Sequence, residues 1–347
     1  MQVLDYRQTP ALADVDPLFT VAVCTHNRPH LLDGLLSVLL PQLEQLRIRL
    51  IVVDSASCPP AALRSEYVAR YGDLLTFVRL DTAGISRARN AALHECQTPW
   101  IGYMDDDEVP SPDWAQEALQ LIERLPSNCA ACSGNVAPKW PGARPQAVGQ
   151  RWLAYLSMLQ RAGEFDQKRK TRFGIGHSVI RRDALMAAGE FDTSLGRHGA
   201  SLLSGEESHL VEILLRCGWQ IWHSDKIRVD HIVEAERLER SWARERAYWE
   251  GISIMRRAQL GDFAWPWWIV ASAYLKVLLL GVLVSYIHER AEIDLVLAYA
   301  QGVLHGHTHP QSLALEGGRV TAPISSAGVV TQVALYQVAP SEPPSPA

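Results

Sequence analysis

No stretch of the 347 residues reads as a GxxxxGK[ST] phosphate loop, and no GxGxxG follows the first apolar run. The first absence argues against a P-loop NTPase and the second against dinucleotide binding. A basic excess is missing as well. The chain has 33 Lys and Arg against 38 Asp and Glu, a net charge of −5, so no nucleic-acid partner is expected. The six cysteines (Cys24, Cys58, Cys96, Cys129, Cys132, Cys217) are scattered and form no dense framework. They suit a reducing compartment, and the CAAC stretch at 129–132 reads as small residues of a buried strand rather than a redox or metal pair. The opening MQVLDYRQTPALADVDP has no basic region followed by an apolar core, so no secretory signal is expected. Internal repeats are lacking too.

Apolar residues make up 48% and charged residues 20% of the chain, enough for a substantial core in one large domain or two ordinary ones. Short apolar runs alternate with amphipathic ones. Strands are predicted over 18–24, 49–54, 74–80 and 100–104, and helices over 30–43, 60–71, 86–96 and 111–125. Such alternation implies βαβ units and a mostly parallel sheet, whose ligands bind beyond the carboxyl ends of the strands. Asp54 and the run Asp105, Asp106, Asp107 fall at such ends.

From about 130 the pattern is mixed. A strand is predicted at 129–136, a Pro/Gly-rich loop at 138–146, an amphipathic segment at 149–163 and a helix at 206–218 ended by Gly218. WQIWH and IRVDHIV read as two strands, and 237–260 as a long charged helix. The segment 264–287 is 24 residues long and carries one charge, Lys276. Its length meets the criterion for a membrane span. A lysine near the middle costs about 3 kcal/mol on insertion scales. Trp265, Trp267 and Trp268, with Arg256 and Arg257 before them, fit an interfacial or re-entrant segment better. The sequence HGHTHP (305–310) reads as an incidental polar turn, and the Ser/Pro-rich end as disordered.

The carboxylate run YMDDDEVP (103–110) carries the chemistry. Adjacent carboxylates repel one another, and a solvated turn explains one aspartate better than three. The staggered ligands and turn glycine of an EF-hand are missing. A site for Mg²⁺ or Mn²⁺ fits, because these ions take one or two protein carboxylates and complete their shell with phosphate and water. Asp105 and Asp107 can approach one ion from a turn, leaving Asp106 for a sugar hydroxyl.

Five stretches, in order, resemble the inverting glycosyltransferases of family two: VAVCTHNRP, IVVDSAS, GISRARNAAL, YMDDDEVPSPDW and FDTSLGRHGASLLSGEESHLVEILLRCGW. The resemblance spans roughly residues 17–235. It implies an α/β GT-A fold, the nucleotide-diphospho-sugar transferase architecture, with a mostly parallel mixed sheet, flanking helices and here a C-terminal helical segment. It also implies transfer from a UDP-, GDP- or dTDP-linked sugar to a glycan or lipid-linked acceptor, with a divalent cation, Mn²⁺ or Mg²⁺. Carried over residue by residue, Thr25, Asn27 and Arg28 line the nucleotide pocket and Asp54 accepts hydrogen bonds from the base. Gly84 permits close backbone approach, and Arg87 or Arg89 meets base or diphosphate. Asp106 holds the ribose, and Asp105 and Asp107 hold the metal. Glu207 is the general base. Two departures concern the acceptor side: Glu206-Glu207 stands where the family usually has Glu-Asp, and His177 occupies the place of an Asn. Without the resemblance, Glu206 and Glu207 read as an acidic helix start stabilised by the dipole. His231 is either a metal or phosphate contact or a satisfied strand histidine.

The domain expectation is an N-terminal extension over 1–16, a catalytic domain over 17–235, a membrane-associated helical region over 236–310 and a tail over 311–347. A cytoplasmic location at the inner membrane face follows from the cytosolic donor. The competing readings are a sugar nucleotidyltransferase, which would need a Gly-rich basic loop after the first strand, and a non-catalytic nucleotide-sugar-binding protein.

Overall fold

Strand and helix alternate through the first 125 residues as the apolar spacing predicts. The computed structural model describes residues 1–5, 18–145, 148–167, 173–199, 201–263, 267–283 and 291–310. In chain order the first elements are β1 (Gln2–Asp5), β2 (Phe19–Thr25), α1 (Pro29–Leu46), β3 (Arg49–Ser55), α2 (Ser65–Tyr71), β4 (Leu75–Leu80), α3 (Ile85–Glu95), β5 (Trp100–Asp105), β6 (Glu108–Pro110) and α4 (Trp114–Arg124). They are followed by β7 (Cys129–Lys139), α5 (Gln150–Tyr155), β8 (Glu164–Asp166), β9 (His177–Arg181), α6 (Arg182–Ala187), α7 (Glu206–Arg216), β10 (Gln220–Ile232), α8 (Arg240–Gln259), α9 (Trp267–Leu283) and α10 (Ala291–Thr308).

One mixed sheet orders the strands β1-β4-β3-β2-β5-β9-β7-β10-β6, with β8 pairing β10. Strands β4, β3, β2 and β5 are parallel neighbours. They are covered on both faces, which is why they read as unbroken apolar runs rather than alternating ones. On one face the leucines of α1 (Leu32, Leu35, Leu36, Leu39, Leu43) recur at helical spacing and pack with Trp114 and Leu121 of α4. On the other, Ala88 and Ala92 of α3 pack with Leu210 and Leu214 of α7. The carboxyl ends of β2 and β5 lie in register, Cys24 opposite Asp105, and so deliver Thr25 and the aspartate run to one rim.

The later half departs from the local reading. β10 is one strand of 13 residues, not two. It runs beside β7 with a register shift between His223 and Arg228, so a bulge absorbs the polar break. The amphipathic segment 149–163 is helical only over Gln150–Tyr155. Residues 2–5 of the expected extension form an edge strand antiparallel to β4. His305 and His307 of HGHTHP lie in the last turn of α10 rather than in a separate turn.

The C-terminal helices pack on the body. Trp152 of α5 shares a cluster with Trp242 of α8 and with Leu295 and Ala298 of α10, so contacts cross residue 235 freely. Helices α8 and α10 meet backbone to backbone. A Cβ on Gly302 would fall 1.8 Å from the Tyr248 carbonyl oxygen, and one on Gly251 2.2 Å from that of Tyr299. Among the described residues no helix is long and apolar enough to cross a membrane. Trp265, residues 284–287 and the expected tail lie outside the described residues.

Candidate active site

A cavity of about 1130 Å³ opens at the carboxyl ends of the parallel strands. Thr25, Asp105, Asp106, Asp107 and Glu108 line one side, and Glu206 and Glu207 at the start of α7 line another. His231 from β10, and Arg237 and Arg246 from the chain beyond it, complete the wall.

The aspartate run divides between two clusters. Asp106 accepts a hydrogen bond from the Thr25 hydroxyl at 2.8 Å and one from Arg28 Nη1 at 3.3 Å. Asp107 Oδ2 accepts from Arg28 Nη1 at 3.0 Å and from Arg237 Nη2 at 2.8 Å, and His231 Nε2 lies 3.3 Å away. Asp105 faces α3, where its Oδ1 accepts from Arg89 Nη2 at 3.2 Å. A Cβ on Gly176 would meet the Asp105 carboxylate at 2.3 Å, so a side chain there would displace that carboxylate.

Arg89 is buried and also donates to Glu206 Oε1 at 3.0 Å and to Glu207 Oε1 at 3.5 Å. Glu206 is buried with it, whereas the Glu207 side chain keeps 29% of its surface. Glu207 Oε1 also accepts from the Ile175 amide at 3.3 Å. Its Oε2 has no hydrogen-bond partner among the described residues. Nearby, His177 Nδ1 and Glu108 Oε1 lie 3.2 Å apart, both buried, with His177 Nε2 and Glu108 Oε2 unpartnered.

Charge is distributed unevenly across these carboxylates. Burial raises Asp106 to about 7, and the neighbouring Asp107 charge adds to this. Burial opposes ionisation of Asp107 too, yet His231, Arg237 and Arg28 together hold it well below the usual carboxylate range. Glu207 is raised to about 7 by burial, with Arg89 opposing and the charges of Glu206 and Asp105 reinforcing. Burial works against a charge on His177, but Glu108 raises its pKa.

The other expected residues are placed as follows. Gly84 lines the cavity at the start of α3 with φ of 153°, its amide donating to Ser55 Oγ at 3.0 Å. Asp54 is fully buried behind the wall, its oxygens taken by the Ser57 amide at 2.9 Å, the Ala61 amide at 3.1 Å and Arg79. Asn27 has φ of 56° and braces the same turn, accepting from the Cys58 amide at 2.8 Å. Arg87 is exposed. Sequence reasoning missed Arg237 and Glu108. Glu108 stood at the end of the acidic run, but only the antiparallel β5–β9 pairing brings His177 to it. Arg237 lies 130 residues beyond Asp107 and carried no local signal.

Among the described residues no group of three or more His, Cys, Asp and Glu side chains is arranged as a metal cage. Asp107 and His231 do suit a cation. Arg237 Nη1 donates to His231 Nε2 at 3.0 Å, so that lone pair is already engaged, while Nδ1 is buried and unpaired among the described residues. A carboxylate and an imidazole are ligand types that Mn²⁺ takes, its other ligands coming from phosphate and water, and a cation bound here would displace Arg237 from both side chains.

A mixed sheet with its parallel core feeding an acid-lined cavity, helices on both faces, defines the GT-A class of nucleotide-sugar transferase folds. The mannosyltransferase PcManGT of Pyrobaculum calidifontis, solved with GDP-Man and Mn²⁺, shares this fold, with a TM-score of 0.52 and 18% identity over 86% of this chain and 91% of that one. Residues 20–188 match the family model described as Glycosyl transferase family 2, and the chain is a glycosyltransferase, an enzyme using a nucleotide-sugar donor. It is 25% identical to a glucosyl-dolichyl phosphate glucuronosyltransferase of Haloferax volcanii, over 82% of this chain and 90% of that protein. It is 29% identical to the succinoglycan biosynthesis protein ExoM of Rhizobium meliloti, over 67% and 72% respectively.

Proposed function

We propose that this glycosyltransferase moves a sugar, with inversion, from a nucleoside-diphosphate donor to a hydroxyl of a lipid-linked or polysaccharide acceptor, with Glu207 as general base. The carrying observation is the split of the acidic pair. Glu206 is held by Arg89, while Glu207 opens onto the cavity with a pKa raised to about 7, suited to taking a proton near neutrality. The acceptor oxygen bonds to the anomeric carbon as the bond to the diphosphate oxygen breaks, and the hydroxyl proton passes to Glu207.

On the donor side, Thr25, Arg28, Gly84 and Asp106 receive the nucleotide sugar, with Asp54, Asn27, Arg87 and Arg89 shaping or flanking the pocket. Asp107 with His231 would hold the divalent cation, while Asp105, expected as its second carboxylate, is held toward α3 by Arg89. When bound, that ion offsets charge developing on the departing nucleoside diphosphate. The names of the relatives support the acceptor class: one is a glucosyl-dolichyl phosphate glucuronosyltransferase and the other serves succinoglycan biosynthesis.

The same reading places the helical region 236–310 at the cytoplasmic membrane surface. Trp267, Trp268, Tyr274, Leu275, Leu278 and Leu279 are exposed along α9 at three- and four-residue spacing, while Val270 and Ala273 face α10. Such an apolar stripe suits the lipid interface. Arg256 and Arg257 contribute less to that surface than their sequence position suggests, because Arg257 is bound to Asp262 at 2.5 Å and Arg256 to Gln259 at 3.3 Å.

The test is nucleoside diphosphate release from UDP-, GDP- and dTDP-sugars with Mn²⁺, with and without a polyprenyl-phosphate-linked sugar. Acceptor-dependent release and a product of inverted anomeric configuration are expected. Release that ignores every acceptor, or a retained configuration, would overturn the reading.

A further inference from the structure

Most of the guanidinium groups around the cavity are paired with carboxylates. Arg28 meets Asp106, Asp107 and Glu234, Arg237 meets Asp107, and Arg246 meets Glu250 at 2.8 Å. Arg89 meets Glu206, and Arg257 meets Asp262. Arg197 also lines the cavity, but its side chain has no hydrogen-bond or ion-pair partner among the described residues.

The backbone carrying Arg197 is nonetheless firmly held. Its carbonyl accepts the Ile85 amide at 3.2 Å. Gly196 before it has φ of 86°, and a Cβ there would meet Ile85 Cγ2 at 2.6 Å. This allows the loop to clamp onto the start of α3. His198 Nδ1 lies 2.8 Å from the Gly196 carbonyl oxygen, fixing the turn further. A rigid loop therefore presents a free cation to the cavity.

The Arg197 side chain is exposed, with the cations Arg237, Arg246 and Arg28 near enough to repel it and Asp107 near enough to attract it. The group stays protonated at neutral pH, so its charge awaits an anion. Arg246 Nη1 is buried without a partner as well, leaving a second donor in the same wall unused. Guanidinium groups with free N–H donors match phosphate oxygens in geometry and charge.

We propose that Arg197 is a phosphate-binding residue of the cavity, donating to an oxygen of a phosphate group that a substrate brings in. This deepens the glycosyltransferase reading and rests on it. Two substrates of that reaction carry the chemistry: the donor, through its diphosphate, and a lipid-linked acceptor, through the phosphate joining sugar to lipid.

Binding measured by thermal shift and calorimetry on the full chain, in wild type, Arg197→Gln and Arg197→Lys, distinguishes these sources. The first arm uses UDP, GDP and dTDP with Mn²⁺ against uridine, guanosine and thymidine. The second uses undecaprenyl phosphate against undecaprenol in detergent micelles. Arg197→Gln should weaken the phosphorylated ligands of one arm by roughly 10- to 100-fold and leave their unphosphorylated counterparts unchanged, with Arg197→Lys falling between. Weakening in the first arm assigns the donor diphosphate, and in the second the acceptor phosphate. Wild-type affinity of Arg197→Gln in both arms overturns the proposal. If wild type binds a nucleoside diphosphate in that same experiment, the glycosyltransferase reading stands without it. Wild type binding no phosphorylated ligand in either arm overturns both.

Discussion

Arg89 pairs more closely with Glu206 than with Glu207, at 3.0 Å against 3.5 Å. The two acids are neighbours at the first turn of α7, yet this difference gives them separate tasks. Glu206 balances a buried guanidinium. Glu207 shares that charge weakly and opens its other oxygen to the cavity.

Glu207→Gln keeps the shape of the side chain and removes its basicity. Turnover should fall by roughly two to four orders of magnitude, with nucleoside diphosphate affinity unchanged. Glu206→Gln should instead cost stability, on the order of 3 kcal/mol, because it leaves Arg89 short of a buried partner. Steady-state kinetics and denaturant melts on the two variants distinguish the roles. Full turnover in Glu207→Gln would remove it as base.

The raised pKa of Glu207 acts in opposite directions on rate and stability. The base works deprotonated, so kcat should climb as pH rises through about 7 and then level. The folded state holds the Glu207 proton more tightly than the unfolded chain, whose value is near 4.5. That contribution to stability is complete below about 4.5 and is lost as pH rises through about 7. Arg89, Glu206 and Asp105 face this group and set the window. Thermal melts across pH 4 to 8, on the order of the span these values define, should show a shallower decline in Glu207→Gln than in wild type.

Asp107 is not the surface-edge carboxylate its place after a strand suggests. It is 5% exposed and binds Arg28 and Arg237. Asp107→Ala should therefore abolish transfer and also destabilise the fold by about 3–5 kcal/mol, since two cations lose a buried partner. Asp107→Asn retains the shape and separates the effects. It should fold better than Asp107→Ala and lose the extra thermal stabilisation that Mn²⁺ adds to nucleoside diphosphate binding. Undiminished stabilisation by Mn²⁺ in Asp107→Asn would move the ion elsewhere.

The apolar stripe of α9 should bind bilayers. Replacing Trp267 and Leu278, both about two-thirds or more exposed, with serine should cut co-sedimentation with anionic vesicles by roughly tenfold or more while leaving melting temperature unchanged, because neither side chain is core. Equal co-sedimentation of wild type and the double variant would return the stripe to some other partner.

Local chemistry alone determined much of this enzyme. Fully covered parallel strands must be apolar on both faces, so their runs announced β2, β3, β4 and β5, and the helical spacing of leucines announced α1. Strand ends are where a βαβ sheet exposes polar groups, so the order of elements already led to Asp54, Asp105, Asp106 and Asp107, whereas Thr25 and Glu207 were singled out by the family resemblance. Tertiary structure decided which of these groups carry charge together. The ion pairs of Asp107 with Arg237, and of Arg89 with Glu206, join residues 130 and 117 positions apart. No periodicity encodes such pairs, because they depend on β10 returning beside β6 and on α7 docking against α3. The isolation of Arg197 is equally a property of the folded chain. A cation is unpaired only with respect to everything packed around it, and that surrounding exists once the C-terminal helices close against the sheet.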